Sequence, residues 1–407
     1  MISYTNQRIS QSKRSAMYRD ETIDLMEPML PSEANRELED LVFSLIQATS
    51  SLQAILKPRM TETLGNLVRN MNCYYSNLIE GHNTTPRDIE RALAEDFSNN
   101  PVKRDLQLEA KAHIEVQELI DFSKNQDIVS INFIQLLHRE FYSSLPDNLL
   151  WIGEEANKKQ VIAGGFRTGR VIVGEHTPPD ADKIERFLER FIEIYHPNKL
   201  SKVKQVIAVA ASHHRLLWIH PFYDGNGRVA RLFSHAYFKE IGIGSSIWSV
   251  SRGLARKSQE YKKLLMTADN QRINDLDGRG NLSLKALNEF VYFFLETAID
   301  QVNFMKSLLE PEMLIKRLNL YINEEIELKK LPEGSFALLR EVILLDEVER
   351  GAAAQITGYQ ARQARTILNT LCKEGFLVSD TPKSAVRIAF PLKAIDRIFP
   401  SLYPSQT

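Results

Sequence analysis

Residues 220–231 read HPFYDGNGRVAR. The residue types suit work on a polyphosphate. Gly225-Asn226-Gly227 can turn tightly and let backbone N–H groups approach an anion without Cβ obstruction. The apolar, alanine-containing sequence that follows predicts a helix starting near Asn226, whose N-terminus favours negative charge. Arg228 and Arg231, three residues apart, fall on one face of its first turns, and a guanidinium fork suits phosphate oxygens. Asp224 would repel bound phosphates unless a cation lay between them. Magnesium fits that place, since it takes one carboxylate together with phosphate oxygens and water. His220 titrates near neutrality and can accept a proton from a hydroxyl. Together these groups describe transfer of a phosphate-bearing group to an alcohol. A glycine turn between packed helices would account for any one of them, but not for the ordered set.

The elements that position this string read as helices. Leu64, Leu67, Val68, Met71, Tyr75, Leu78 and Ile79 recur at helical spacing, and Glu80-Gly81 ends that run. Thr85-Pro86-Arg87-Asp88 carries the signals of a new helix start. Residues 180–196 and 201–219 read as helices leading into the string, and amphipathic runs extend from Glu260 to about Lys330. The glycine-rich, β-branched stretch 161–179 predicts two short strands with a turn. Residues 1–35 read as irregular.

Bulk properties frame the reading. A chain of 407 residues implies two or three domains. A formal net charge of −1 advertises neither nucleic acid nor membrane for the chain as a whole. Cys73 and Cys372 stand far apart, with no spacing for a disulfide framework or zinc site, which fits a reducing compartment. The polar start MISYTNQRISQSKRS lacks the apolar run of a signal peptide. No stretch approaches the roughly 18 apolar residues of a spanning helix. The expectation is a cytoplasmic protein with no membrane partner.

The string resembles the signature of the Fic family, H-P-F-x-[DE]-G-N-G-R-x-x-R, at every specified position. The resemblance implies a mainly α-helical Fic-type core with a β-hairpin flap, and an enzyme that transfers AMP from ATP to a Ser, Thr or Tyr hydroxyl of a protein, itself included, with Mg2+. It makes His220 the general base and Asp224 the metal ligand. Gly225, Asn226, Gly227 and Val229 would line the nucleotide site, with Arg228 and Arg231 on the phosphates. The segment Ser76–Gly81 (SNLIEG) matches the family's inhibitory motif [ST]-x-x-x-E-[GN], on a helix of about 64–81. By resemblance Glu80 pairs with Arg231 and blocks productive seating of the γ-phosphate, with Ser76 and Gly81 completing the motif. Removal of AMP, with Glu80 activating water, is the family's alternative reaction.

The same resemblance makes 161–179 the flap, whose Phe166, Arg167, Thr168, Val171, Ile172 and Val173 would hold an extended target segment. It places Tyr261 near the adenine. His213 and His214 are adjacent and so point to different helix faces, which suits packing or hydrogen bonding rather than a metal site.

The break Leu331-Pro332-Glu333-Gly334 marks a boundary, giving an N-terminal helical region (1–120), a catalytic core (121–310) and a C-terminal domain (335–407). In the last, a helix-turn-helix pattern and strand-like Phe376–Val378 and Ala385–Phe390 resemble a winged helix over about 335–392. Residues 350–397 hold eight Lys/Arg against three Asp/Glu. That excess suits DNA contact, and a nucleotide-responsive transcriptional regulator is the alternative function. Winged helices also dock proteins, and oligomeric state stays open, a homodimer included.

Overall fold

The computed structural model describes residues 23–31, 35–123, 126–154 and 157–404. The expectation for 1–35 falls mostly outside them. Within that segment Ile23–Met26 forms a 3-10 turn, and Met26 and Met29 are buried. Among the described residues no helix is long and apolar enough to cross a membrane.

The molecule is mainly helical. Helix α1 (Arg36–Ala54) precedes α2 (Pro58–Ile79), α3 (Pro86–Leu93), α4 (Pro101–Phe122) and α5 (Ile131–Ser143). After a two-stranded pair come α6 (Ile184–Tyr195), α7 (Lys202–Ile219) and α8 (Asn226–Glu240). Then follow α9 (Ser251–Arg256), α10 (Ser258–Ala268), α11 (Leu284–Leu309) and α12 (Pro311–Glu327). Helices α7 and α8 pack together and carry the string 220–231 at their junction. Nearly all of α8 up to Phe238 is buried, because α4, α5 and α7 pack around it. Helix α2 lies against α4 and α9, and α1 against α11.

Helix α2 shows how sequence and tertiary structure divide the work. Pro58 suits its first turn, but Lys57 offers no side-chain cap. The cap comes from far along the chain. Asp346 accepts hydrogen bonds from the backbone N–H groups of Arg59 and Met60, each at 2.8 Å. At the other end Glu80 is the last, half-helical residue and Gly81 takes φ +88°. Helix α3 starts as its sequence predicts, with Thr85 Oγ1 accepting from Asp88 N at 3.2 Å.

Two expectations are corrected. The strands predicted in 161–179 are absent. The antiparallel pair is β1 (Trp151–Ile152) with β2 (Lys159–Gln160), and 161–179 holds only the bridge Val173–His176. β propensity describes fit to a half-buried pleated surface. This stretch has no partner strand, and Gly164 and Gly174 turn it through positive φ. The amphipathic run from Glu260 is also interrupted: residues 269–283 form a loop carrying the bridge Gln271–Leu282.

The helical pattern breaks between Glu327 and Ser335. Gly334 takes φ +87° ahead of α13 (Ser335–Leu345). Strand β3 (Glu347–Val348), α14 (Ala353–Thr357), α15 (Ala361–Lys373), β4 (Leu377–Val378), β5 (Val386–Ile388) and α16 (Leu392–Ile398) follow. The sheet order is β3-β5-β4, antiparallel throughout. This segment rests on the rest of the chain. Thr63 Oγ1 donates to Ile388 O at 2.9 Å, and Tyr75 OH donates to Leu402 O at 3.0 Å. Arg252 and Arg317 donate to Ser401 O and Ile398 O.

Candidate active site

The junction between α7 and α8 is a closed loop. His220 ends α7 in the left-handed conformation (φ 49°, ψ 61°), unusual outside glycine. Its carbonyl is held by Arg167, whose Nε donates at 2.8 Å and whose other nitrogens donate to Gly169 O and Pro179 O. Gly225 takes φ +78°, and a Cβ there would stand 2.8 Å from the Tyr142 ring, so the position needs glycine twice over. The Asn226 side chain accepts from Phe222 N at 3.0 Å and donates to Phe222 O at 2.9 Å. Its amide therefore staples the loop, and the anion cradle is left to backbone. Helix α8 makes its first bond from Val229 N to Gly225 O, so the N–H groups of Asn226, Gly227 and Arg228 have no acceptor within the helix.

A carboxylate occupies that cradle. Glu80 Oε1 accepts from Arg231 Nη2 at 2.5 Å and lies 2.5 Å from where a Cβ on Gly227 would be. Arg231 Nε donates to Ser76 Oγ at 3.0 Å and Nη2 to Ser76 O at 3.3 Å. The buried Arg231 thus makes three bonds to the last turn of α2. Burial pushes the Glu80 carboxyl upward, but the Arg231 charge and hydrogen bond outweigh it and hold it below the ordinary value. Glu80 is an anion at neutral pH, paired and charge-assisted.

Asp224 belongs to a second cluster. Its Oδ2 accepts from Tyr142 OH at 2.6 Å and from Arg228 Nη2 at 3.0 Å. Arg228 lies over the Phe141 ring, 4.5 Å from its centroid, and its Nη1 is 3.3 Å from Glu109 Oε2. Glu109 in turn contacts His82 Nδ1 at 2.7 Å. Burial raises the Asp224 carboxyl, and the Arg228 charge and the Tyr142 hydrogen bond bring it below the ordinary value. Its side chain remains 45% exposed. Among the described residues no group of three His, Cys, Asp or Glu could hold a metal. A half-buried, ionised carboxylate beside an anion cradle fits Mg2+, which takes its other ligands from phosphate and water. His220 is pushed down to about 4 by burial, so its imidazole is neutral at pH 7 and free to accept a proton, though as a weaker base than an exposed histidine.

The Fic/DOC family model matches residues 128–238. These include α5, α7, the loop and most of α8. Residues 128–238 form a Fic/DOC-family domain.

Curated relatives agree. The chain is 29% identical over 180 residues to protein adenylyltransferase Fic of Nematostella vectensis, covering 42% of this chain and 37% of that protein. It is 25% identical over 207 residues to the protein of that name from Drosophila mojavensis, covering 51% and 37%. It is 35% identical over 82 residues to the one from Drosophila erecta, covering 20% and 17%. The chain therefore spans well under half the length of these relatives. A crystal structure of a Fic family protein from Desulfovibrio desulfuricans G20 superposes with a TM-score of 0.53 at 17% identity, covering 89% of this chain and 98% of that one. At that identity the likeness is of fold.

The Fic domain gathers the sequence-predicted residues unevenly. Arg231 and Gly227 meet Ser76 and Glu80 at the start of α8, Asp224 and Arg228 pair beside them, and Gly81 is exposed with nothing within 4 Å of where its Cβ would stand. Val229 is buried at 2% exposure on α8, away from open solvent. Tyr261 is buried, and its hydroxyl is 2.7 Å from His213 Nε2. His213 and His214 are buried and hydrogen-bonded, as their spacing predicts. Along the flap Thr168, Ile172 and Val173 are exposed, Val171 is half-buried, and Phe166 packs 5.6 Å from Phe222. Arg167 is buried, and its guanidinium donates to four carbonyls, those of Gly169, Pro179, Ile219 and His220. Sequence reasoning missed Tyr142, Glu109 and His82. Only the adjacency of His82 to the Ser76–Gly81 segment could have pointed to one of them.

Proposed function

We propose that this chain is a protein adenylyltransferase restrained by its own Glu80. The observation that carries the reading is the Glu80 carboxylate seated over Gly227 and bonded to Arg231. An oxyanion is already accommodated where the start of α8, Gly227 and Arg231 would receive a phosphate. ATP is the donor, and a Ser, Thr or Tyr hydroxyl, on this chain or another, is the acceptor.

In the proposed reaction His220 takes the proton from the acceptor hydroxyl. A bond forms between that oxygen and the α-phosphorus, the α–β phosphoanhydride bond breaks, and pyrophosphate leaves with the electron pair. The backbone amides at the start of α8 and Arg231 hold the phosphates and offset developing charge. Asp224, oriented by Tyr142, would hold Mg2+, which supplies charge neutralisation when bound. With Glu80 in place Arg231 is occupied, so the triphosphate cannot seat fully. The exposed flap residues Thr168, Ile172 and Val173 are placed to meet an extended target segment. The unpaired cysteines suit a cytoplasmic setting.

Intact-mass measurement after incubation with ATP and Mg2+ tests this. Glu80→Gly is expected to gain one AMP, the natural sequence much less, and Glu80→Gly with His220→Ala none. Loss of AMP from pre-modified protein only when Glu80 is present would instead assign the reverse reaction.

A further inference from the structure

The cations of residues 350–397 fall into two sets. Arg350 donates to Ser384 O and Ser379 Oγ, Arg387 pairs with Asp380, Lys393 pairs with Glu374, and Arg397 pairs with Glu324. These four are bound within the protein. Arg362, Arg365, Lys373 and Lys383 are exposed, with no ion pair to an acidic group among the described residues. Three of those four lie on α15, and the fourth lies on the turn between β4 and β5.

Helix α15 buries Ala364, Ile367, Leu368 and Leu371 and turns Arg362, Gln363, Arg365, Thr366 and Asn369 outward. No Asp or Glu occurs from Gly351 to Lys373. Among the described residues no large apolar side chain is exposed on α15, whereas a protein-docking face needs an apolar centre. The turn is fixed in advance. Thr381 N donates to Ser384 Oγ at 2.8 Å and Ser384 N to Thr381 Oγ1 at 3.1 Å, while Arg350 grips its base. Helix α15 rests on β4, and β4 and β5 carry this turn.

We propose that α15 and the β4–β5 turn bind duplex DNA. The order helix, strand, helix, helix, strand, strand is that of a winged helix, with α15 as the helix that enters the major groove and the turn as the wing. The groove admits an α-helix. Arg362, Arg365, Lys373 and Lys383 meet phosphates, and Gln363 and Asn369 carry amides able to reach base edges. The proposal is independent of the nucleotide site.

Fluorescence anisotropy of the full chain with a labelled mixed-sequence duplex, at several salt concentrations, tests it. Binding is expected at low salt and to weaken as salt rises. Arg362→Glu with Arg365→Glu should abolish it. Arg362→Ala with Arg365→Ala should flatten the log affinity against log salt slope by about 0.9 per lost phosphate contact. Arg362→Lys with Arg365→Lys should keep most of the affinity, which separates charge from fold, and circular dichroism checks each variant. The proposal is overturned if the natural chain does not bind at low salt, or if the Glu variants bind with an unchanged slope. It is equally overturned if these substitutions instead dissociate a homodimer, seen by light scattering, and leave DNA affinity intact.

Discussion

The carboxylate of Glu80 closes over Gly227: its Oε1 lies 2.5 Å from the position of a Cβ on that glycine, while the same oxygen is bonded to Arg231. The missing side chain at 227 therefore makes room for one oxyanion, and under the proposed function for a phosphate that replaces it. Gly227→Ala is tolerable to the helical backbone but fills that space. In the Glu80→Gly background it should reduce AMP labelling at least tenfold, a loss of about 1.4 kcal/mol or more in transition-state binding. Full labelling in that double variant would remove the cradle from the account.

His220 ionises at about 4 because burial disfavours its charged form. The native state refuses a proton that the unfolded chain accepts near pH 6.5. Stability is therefore expected to fall as pH drops from about 6.5 towards 4, whereas a general base should stay available over most of that window. The kcat/KM of Glu80→Gly should keep its acid limb well below pH 6.5. A limb at the ordinary histidine value would contradict it.

Tyr142 donates to Asp224 and accepts from Arg228. It acts through these two side chains as a positioning residue. Tyr142→Phe should cost about 1.5–3 kcal/mol of stability, as for hydrogen bonds to charged groups, measured by denaturant unfolding. In the Glu80→Gly background it should also raise the Mg2+ concentration needed for half-maximal labelling. An unchanged Mg2+ requirement would make its role structural only.

His82 follows Gly81, and its hydrogen bond to Glu109 raises its ionisation above the ordinary value. A raised histidine contributes stability in full below about pH 6.5 and loses it as pH rises through the folded value. The natural sequence should therefore label more readily as pH rises above that value, relative to Glu80→Gly, and His82→Ala should remove the difference. Radiolabel from α-labelled ATP across pH reads this out.

Asp346 caps α2 across 287 residues of chain. It takes φ +75° with ψ −38°, outside the left-handed helical well. Asp346→Ala should destabilise by about 1 kcal/mol, as for loss of a helix cap, and Asp346→Asn by less. Thermal unfolding of the two variants checks the order.

The string 220–231 was legible because its parts are contiguous. A positive-φ glycine, a helix start and two arginines on one helix face follow from local geometry, and the helical periods leading into it were equally plain. The strands predicted at 161–179 were misread because β propensity is decided by pairing, and here Arg167 and the glycines hold a loop without a partner strand. What only tertiary structure decided is which charges meet. Arg231 finds Glu80 across 151 residues, Tyr142 orients Asp224, Glu109 joins Arg228 to His82, and Asp346 caps a distant helix. Such contacts leave no period or spacing in the chain, because helix packing brings the partners together after each helix has formed for its own local reasons.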